Sequence, residues 1–295
     1  MLQILLGRAG AGKTTELLRR MAVSGTQRRQ LLLVPEQASH EMERRLCQEA
    51  GNRSALYAEV LSFTRLGNRV LSQTGGLAGP VLDPGGRILL MYAAVKAVSA
   101  SLTVFARPSR RPAFLSGLLS TLDECKQYQV SPEALARAGE EAGGQEGDKL
   151  KDLGLIFGAY DALTARTAAD PRDRLTRLAE GLERAPYAQG KDVYIDGFTD
   201  FVPQQLSVLR HLMRQAVSVT VALTSSPLDE DPGAVFLPVR RTVERLKRLA
   251  EGAGQKWEIS YIHDDHICKA KELSYIEQHL FSDDASPHMG PAPGV

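Results

Sequence analysis

Short apolar runs and helical spacings alternate along this chain. Gln3–Leu6, Gln30–Val34 and Asp192–Ile195 are apolar runs ended by Gly, Pro or Asp, which predicts β-strands. A fourth is Ser218–Leu223, SVTVAL. Their apolar character is continuous rather than alternating, the mark of strands buried on both faces in a parallel sheet. Helical stretches follow the first three, so the pattern predicts an α/β layer. Between about Gly75 and Ala185 the texture changes: GRILLMYAAVKAV, AFLSGLLSTLDECKQY and KLKDLGLIFGAYDAL place apolar residues at helical spacing, with few strand signals.

Neither flank of that helical stretch has enough strands for a stable sheet alone. The expected organisation is therefore a discontinuous α/β domain, residues 1–75 and 186–280, interrupted by a helical insertion at 76–185, with a disordered tail at 281–295. Within the insertion, RAGEEAGGQEGD (Arg137–Asp148) is Gly-rich and acidic and reads as a mobile surface loop. Beyond Val221 come a polar segment with Pro227, Pro232 and Pro238, a helix around Arg240–Glu251 and a short strand at Trp257–Ile262.

Composition adds exclusions. The 295 residues make about two domains of roughly 150. The 36 Lys+Arg balance 35 Asp+Glu, so a nucleic-acid role has to rest on local features rather than a global field. No run approaches the ~18 apolar residues of a membrane span, and the opening MLQILLGRAG has no basic stretch before its apolar run, so a cytoplasmic protein without membrane contact is expected. Cys47, Cys125 and Cys268 form no CxxC pair, which excludes a zinc knuckle and a disulfide framework.

The strongest chemical signal is G-x-x-x-x-G-K-T, standing as Gly7-Arg8-Ala9-Gly10-Ala11-Gly12-Lys13-Thr14 between a strand and the helical stretch TTELLRRMAV. In such a loop glycines let backbone N–H groups converge on a phosphate at a helix N-terminus, and the lysine adds a point charge. Gly7, Gly10, Ala11, Gly12, Lys13, Thr14 and Thr15 are the candidate ATP-binding residues. Thr14 and Asp196, at the end of Val193-Tyr194-Ile195, are the candidate Mg²⁺ ligands. Gly197 stands where motor ATPases place a glutamate that orients water, so weak or absent hydrolysis is expected. Only six residues precede Gly7, and Gln3 lies inside the strand, so loose base selection is expected.

GRAGAGKT, LLLVPEQASHEMERRL (Leu31–Leu46), EVLSFTRLGNRVL (Glu59–Leu71) and VYIDGFTDFVPQQLSVLRHLM (Val193–Met213), spaced across nearly the whole chain, resemble the N-terminal part of AddB, the B subunit of the bacterial ATP-dependent helicase and nuclease AddAB. The resemblance implies a P-loop NTPase fold: a RecA-like, superfamily-one helicase-like domain 1A interrupted by an all-helical, 1B-like insertion. It implies a subunit that works with an AddA-type partner on DNA double-strand ends, contacts single-stranded DNA and contributes to Chi recognition. The nuclease domain and iron–sulfur cluster of the family are expected downstream of these residues. DGFTD (Asp196–Asp200) stands where active helicases have D-E-x-Q-D, so the resemblance implies a scaffold rather than an engine.

Carried over by position, Gln37, Phe63, Thr64, Arg65 and Arg69 match the loops where this helicase fold touches single-stranded DNA. Phe63 suits base stacking and Arg65 and Arg69 suit phosphate or guanine contacts. The alternatives are a core aromatic for Phe63, a solvated helix face for the arginines and a helix-entry cap for Gln37. Thr224 and Ser225 occupy the place of another helicase motif, with ordinary residues. His263-Asp264-Asp265-His266 reads as a surface turn, Trp257 as packing, and the basic run Arg107–Arg111 as a solvated loop. Two other function classes stay open: an autonomous P-loop small-molecule kinase, and a scaffold with a vestigial P-loop.

Overall fold

The computed structural model describes residues 1–106, 111–229, 233–263, 270–279, 287 and 289–291. Most of the expected tail and of the Arg107–Arg111 run, His263-to-His266 beyond its first residue, and Cys268 lie outside the described residues. The chain divides into two compact units: Met1–Leu66 with Pro186–Phe201 and Leu209–Val295, and Gly67–Ala185 with Val202–Val208.

The first unit is built on a six-stranded sheet, β1 (Leu2–Gly7), β2 (Arg29–Leu33), β3 (Ala58–Leu61), β4 (Lys191–Ile195), β5 (Ser218–Thr224) and β6 (Trp257–Tyr261). Their order is β3-β2-β4-β5-β1-β6, and every pairing is parallel. β3 (AEVL) is absent from the sequence expectation because Glu59 interrupts its apolar run, which then passes almost directly into a helix. Parallel strands require crossover segments. Here they include α1 (Lys13–Ser24) and α2 (Ser39–Ala50), whose Leu17, Leu18, Met21 and Leu46 pack with Leu5, Leu32, Val60, Tyr194 and Ala222 into one buried cluster.

α3 (Phe63–Thr74) follows β3, and the boundary between the units falls inside it. The helical unit thus begins at Gly67 rather than near residue 76, because Val70 and Leu71 turn their side chains onto Gly181. α9 (Pro203–Gln215) also straddles the boundary, and α10 (Gly233–Gly252) and α11 (Lys271–His279) follow β5 and β6. α10 begins earlier than the predicted helix and holds Pro238 in its second turn, where the ring withholds one backbone N–H from the helix.

The helical unit contains α4 (Pro84–Val98), α5 (Pro112–Gln127), α6 (Pro132–Ala142), α7 (Gly144–Thr167) and α8 (Arg174–Arg184). Local chemistry sets their starts: the Asp83 carboxylate accepts from Gly86 N ahead of Pro84, and the Ser131 hydroxyl accepts from Ala134 N ahead of Pro132. Met91, Val95, Leu118, Leu122, Ile156, Phe157 and Tyr160 form its core. Arg137–Asp148 is not a loop. It is the end of α6 and the start of α7, broken only at Gly143, and its glycines let the helices touch: a Cβ on Gly139 would stand 2.6 Å from Gly147 O. No helix among the described residues is long and apolar enough to cross a membrane.

Candidate functional site

Every strand of a parallel sheet ends at the same edge, and ligands of open α/β sheets bind at that carboxyl edge. β1 delivers Gly7 to it, and the chain turns through Gly10 and Gly12, at φ 79° and 85°, before α1 begins at Lys13. Those left-handed angles require glycine. Gly7 is confined differently: a Cβ there would lie 3.1 Å from Ile262 O and 3.2 Å from Ala11 Cβ. Gly12 offers no side-chain cap, so the positive end of the α1 dipole opens directly onto the loop.

Lys13 Nζ lies across the loop, donating to Gly7 O at 2.9 Å and Arg8 O at 2.8 Å. One residue on, Thr14 Oγ1 donates to Asp196 Oδ2 at 2.6 Å, and Asp196 Oδ1 accepts from Gly197 N at 2.9 Å. The alternation of β4 explains this meeting. Tyr194 packs in the cluster that α1 covers, so Asp196, two residues later, falls on the same face. The sequence-derived ATP and metal residues are therefore gathered in one place, with Thr15 exposed on α1. A hydroxyl beside a carboxylate is an oxygen donor set suited to Mg²⁺, which takes one or two carboxylates and completes its shell with phosphate and water. Among the described residues no group of three His, Cys, Asp or Glu is placed to hold a metal.

The other singled-out residues collect at the ends of β2, β3 and β4. Gln37 is exposed, and its neighbour Glu36 accepts from Thr64 N at 3.2 Å, capping α3. Arg65 pairs with Glu43 at 2.7 Å, both half-exposed. Arg65, Asn68, Arg69 and Ser72 are exposed at helical spacing along α3. Phe63 is a core aromatic, only 8% exposed and edge-on to Phe198 with ring centroids 5.6 Å apart, so its ring is not presented for stacking on a base. Phe198, which also packs against Phe201 at 5.3 Å, is the ring nearer solvent. Sequence reasoning passed over Glu36, Glu43 and Phe198, although Glu36 and Phe198 sit inside VPEQ and DGF themselves.

Between Gly7 and Asp196 ends β5. Thr224 stands opposite Gly7 in register, and buried Ser225 donates its N–H to Gly7 O at 3.1 Å. Arg240 of α10 then fixes the chain that follows, donating to Ser226 Oγ, Pro227 O and Leu228 O. Trp257 is 39% exposed, with Nε1 donating to Glu251 and Lys247 Nζ 4.5 Å from its ring centroid, a packed surface residue.

The helical unit has a cavity of about 800 Å³, bordered by Lys126, Asp161, Asp170, Asp173 and Arg177. Its charges satisfy one another. Lys126 Nζ contacts Asp173 at 2.7 Å, Asp161 at 3.4 Å and Asp170 at 3.5 Å; Tyr160 OH donates to Asp170 at 2.9 Å, and Arg87 pairs with Asp123 and Asp170. Burial opposes the Lys126 charge, but the carboxylates outweigh it and hold its pKa above the ordinary lysine value. Burial likewise opposes ionised Asp170, and the Arg172 N–H, Lys126 and Arg87 bring its pKa below the usual carboxylate value. Asp161 moves the other way, raised chiefly by burial. This network ties α5, α7 and the 170–173 turn together.

Comparison with known proteins converges on one family. The family model described as "ADDB, N-terminal" matches residues 4–277. The chain is 35% identical over 310 residues to the B subunit of the ATP-dependent helicase/deoxyribonuclease of Pelotomaculum thermopropionicum, covering 100% of this chain and 27% of that protein. The protein of the same name from Moorella thermoacetica is 35% identical over 319 residues, again with 100% and 27% covered. That of Thermoanaerobacter sp. strain X514 is 32% identical over 292 residues, with 95% and 25% covered. The chain thus spans about a quarter of the length of these curated relatives. With a match that runs from β1 to α11 and takes in the glycine loop, the VPEQ and SFTRL segments and DGF, this chain belongs to the AddB family, as its N-terminal region.

Proposed function

We propose that the α/β unit is a RecA-like, P-loop nucleotide-binding domain of a helicase-like subunit, that the helical unit is its insertion domain, and that it binds Mg-ATP while hydrolysing it slowly or not at all. The observation that carries this reading is the meeting of Lys13, Thr14 and Asp196 at the carboxyl edge of the sheet. Lys13 would exchange its contacts to Gly7 O and Arg8 O for phosphate oxygens, and the α1 dipole favours the same anion. Thr14 and Asp196 would hold Mg²⁺, which when bound neutralises phosphate charge. Gly197 leaves the position after the metal carboxylate without a side chain to orient water.

In the whole protein this region would serve an ATP-dependent helicase and deoxyribonuclease that processes DNA double-strand ends with an AddA-type partner, contacting the single strand and contributing to Chi recognition. The exposed face of α3 and Gln37 support DNA contact, because cations there sit beside donors able to reach phosphates. The printed names of the relatives support the same role for the complex. Equilibrium dialysis against Mg-ATP tests the nucleotide reading: wild type retains the nucleotide and Lys13→Ala does not. Equal retention by both proteins would refute it.

A further inference from the structure

The two faces of the sheet treat their arginines differently. Right-handed crossovers from β4 to β5, and from β5 past β1 to β6, put α9 and α10 on one face; α1 and α2, which run the opposite way along the sheet, lie on the other. On the α1 and α2 face, acids one turn away answer the cations: Arg19 and Arg20 pair with Glu16, and Arg44 pairs with Glu41. α9 and α10 lack that compensation. Together they carry seven Arg and Lys against two Glu, in a chain balanced overall at 36 to 35. α9, PQQLSVLRHLMRQ, has no acid at all. The acids near α10 are already engaged: Glu244 pairs with Lys247 at 2.7 Å, Glu251 accepts from Trp257 Nε1 at 3.0 Å, and Asp200 accepts from Thr242 Oγ1 at 2.9 Å and pairs with Arg245 at 3.3 Å. Arg210, Arg214, Arg241 and Arg248 are exposed, and no side chain among the described residues pairs with their guanidinium groups.

We infer that this face holds the phosphate backbone of double-stranded DNA, through Arg210 and Arg214 of α9 and Arg241 and Arg248 of α10. The inference rests on the DNA reading above and adds to it a surface distinct from Arg65 and Arg69 of α3; it does not depend on the nucleotide reading. Four guanidinium groups without a counter-charge on one face call for an anion. The helix dipole favours a cation only in the last turn, which accounts for Arg214 alone. All four are arginine, whose planar fork fits a phosphate with two donors, where lysine would serve solubility as well. Their spacing suits a polyanion: Arg241 and Arg248 are seven residues apart, roughly 10 Å along α10, the rise of about three phosphates on one strand. A duplex fits this face better than a single strand. Single strands are held by aromatic side chains on which bases stack, and neither α9 nor residues 241–252 of α10 contain Phe, Tyr or Trp. A duplex turns its bases inward and its phosphates outward, so cations on rigid helices suffice to hold it.

The test compares faces at equal charge. Fluorescence anisotropy of the full chain with a labelled blunt duplex of about 20 base pairs, and with one of its single strands, is followed from about 50 to 200 mM salt. Three variants each remove two charges: Arg210→Gln with Arg214→Gln, Arg241→Gln with Arg248→Gln, and, on the opposite face, Arg19→Gln with Arg44→Gln. The first two pairs should weaken duplex binding about tenfold at the lowest salt and flatten the log–log slope by about 0.9 for each arginine removed, while the third changes neither. Wild-type duplex binding in both of the first two pairs would overturn the inference, as would an equal loss in the third, which would mean a general field rather than a surface. Polyglutamate that displaces the duplex as well as unlabelled DNA does, at equal charge concentration, would overturn it in favour of an acidic protein partner. Duplex and single-strand binding lost only in Arg65→Ala with Arg69→Ala would overturn it and leave the α3 reading standing. Binding of neither DNA by wild type would remove both.

Discussion

Gly197 and Pro35 occupy each other's space: Gly197 has φ 81°, and a Cβ built on it would lie 3.1 Å from Pro35 Cδ. A side chain after Asp196 is therefore strained by the backbone conformation and has to displace the proline of VPEQ. On the proposed reading, a one-residue substitution is not expected to supply a water-orienting glutamate there. Gly197→Glu should destabilise the protein by about 1–3 kcal/mol, measured by urea denaturation, through the left-handed strain and the displaced proline. It should also release no phosphate from Mg-ATP beyond the wild-type background. A Gly197→Glu protein as stable as wild type and turning over ATP would contradict this account.

The residues proposed to meet DNA separate by burial. Phe63→Ala removes a ring from the core and should cost about 3–5 kcal/mol of stability. Phe63→Leu, which keeps most of the volume, should leave oligonucleotide affinity in fluorescence anisotropy unchanged. Arg65→Ala combined with Arg69→Ala should weaken binding and flatten the log–log salt dependence by about 0.7 for each phosphate that is no longer neutralised. An unchanged salt slope in the double variant would place the DNA elsewhere.

Acid and base should both loosen the helical unit. Asp170 has a folded pKa below its unfolded value near 3.9, so the stability it contributes is present above that value and is lost as pH falls through the lower folded one. Lys126 has a raised folded pKa, so its contribution is complete below about 10.4 and is lost as pH rises through the folded value. Asp170→Asn, after which Lys126 keeps Asp173 and Asp161 and Arg87 keeps Asp123, should cost about 1–3 kcal/mol at neutral pH. Chemical denaturation from pH 3 to pH 7 would show the wild-type advantage shrinking toward the acid end. A constant difference across that range would mean the network does not titrate as described.

The crossing of α6 on α7 depends on the absence of side chains. Gly139→Ala would force Cβ to within 2.6 Å of Gly147 O, so the helices must separate; a loss of more than about 2 kcal/mol in urea denaturation is expected. Gly144→Ala, with nothing within 4 Å of its Cβ, tests the alternative that left-handed strain alone is costly there, and should lose less. Equal losses would mean the crossing is not close-packed.

These particulars show where sequence reading worked and where it ran out. β1, β2, β4 and β5 were legible because they are short, largely apolar runs buried in a parallel sheet, and Lys13, Thr14 and Asp196 were singled out because the glycine-loop pattern and a strand-end carboxylate mark them. Arg137–Asp148 misled because glycine and acidic residues are ambiguous: the same letters serve a loop or a tight helix crossing, and only the facing backbone decides. Phe63 was ambiguous for a related reason. A ring at the start of a helix can face solvent or core, and the choice here depends on Phe198, distant in sequence. Glu36 as the cap of α3 and Pro35 as the obstacle at Gly197 are tertiary relations that no local pattern announces.

Whether the nucleotide is held without being hydrolysed can be read from one sample. The protein is saturated with labelled Mg-ATP, freed of excess by rapid gel filtration, and the bound nucleotide is identified by chromatography, with and without single-stranded DNA. Near-stoichiometric, intact ATP under both conditions is the predicted result. Bound ADP accumulating on the timescale of a working helicase, or protein eluting without nucleotide, would contradict it.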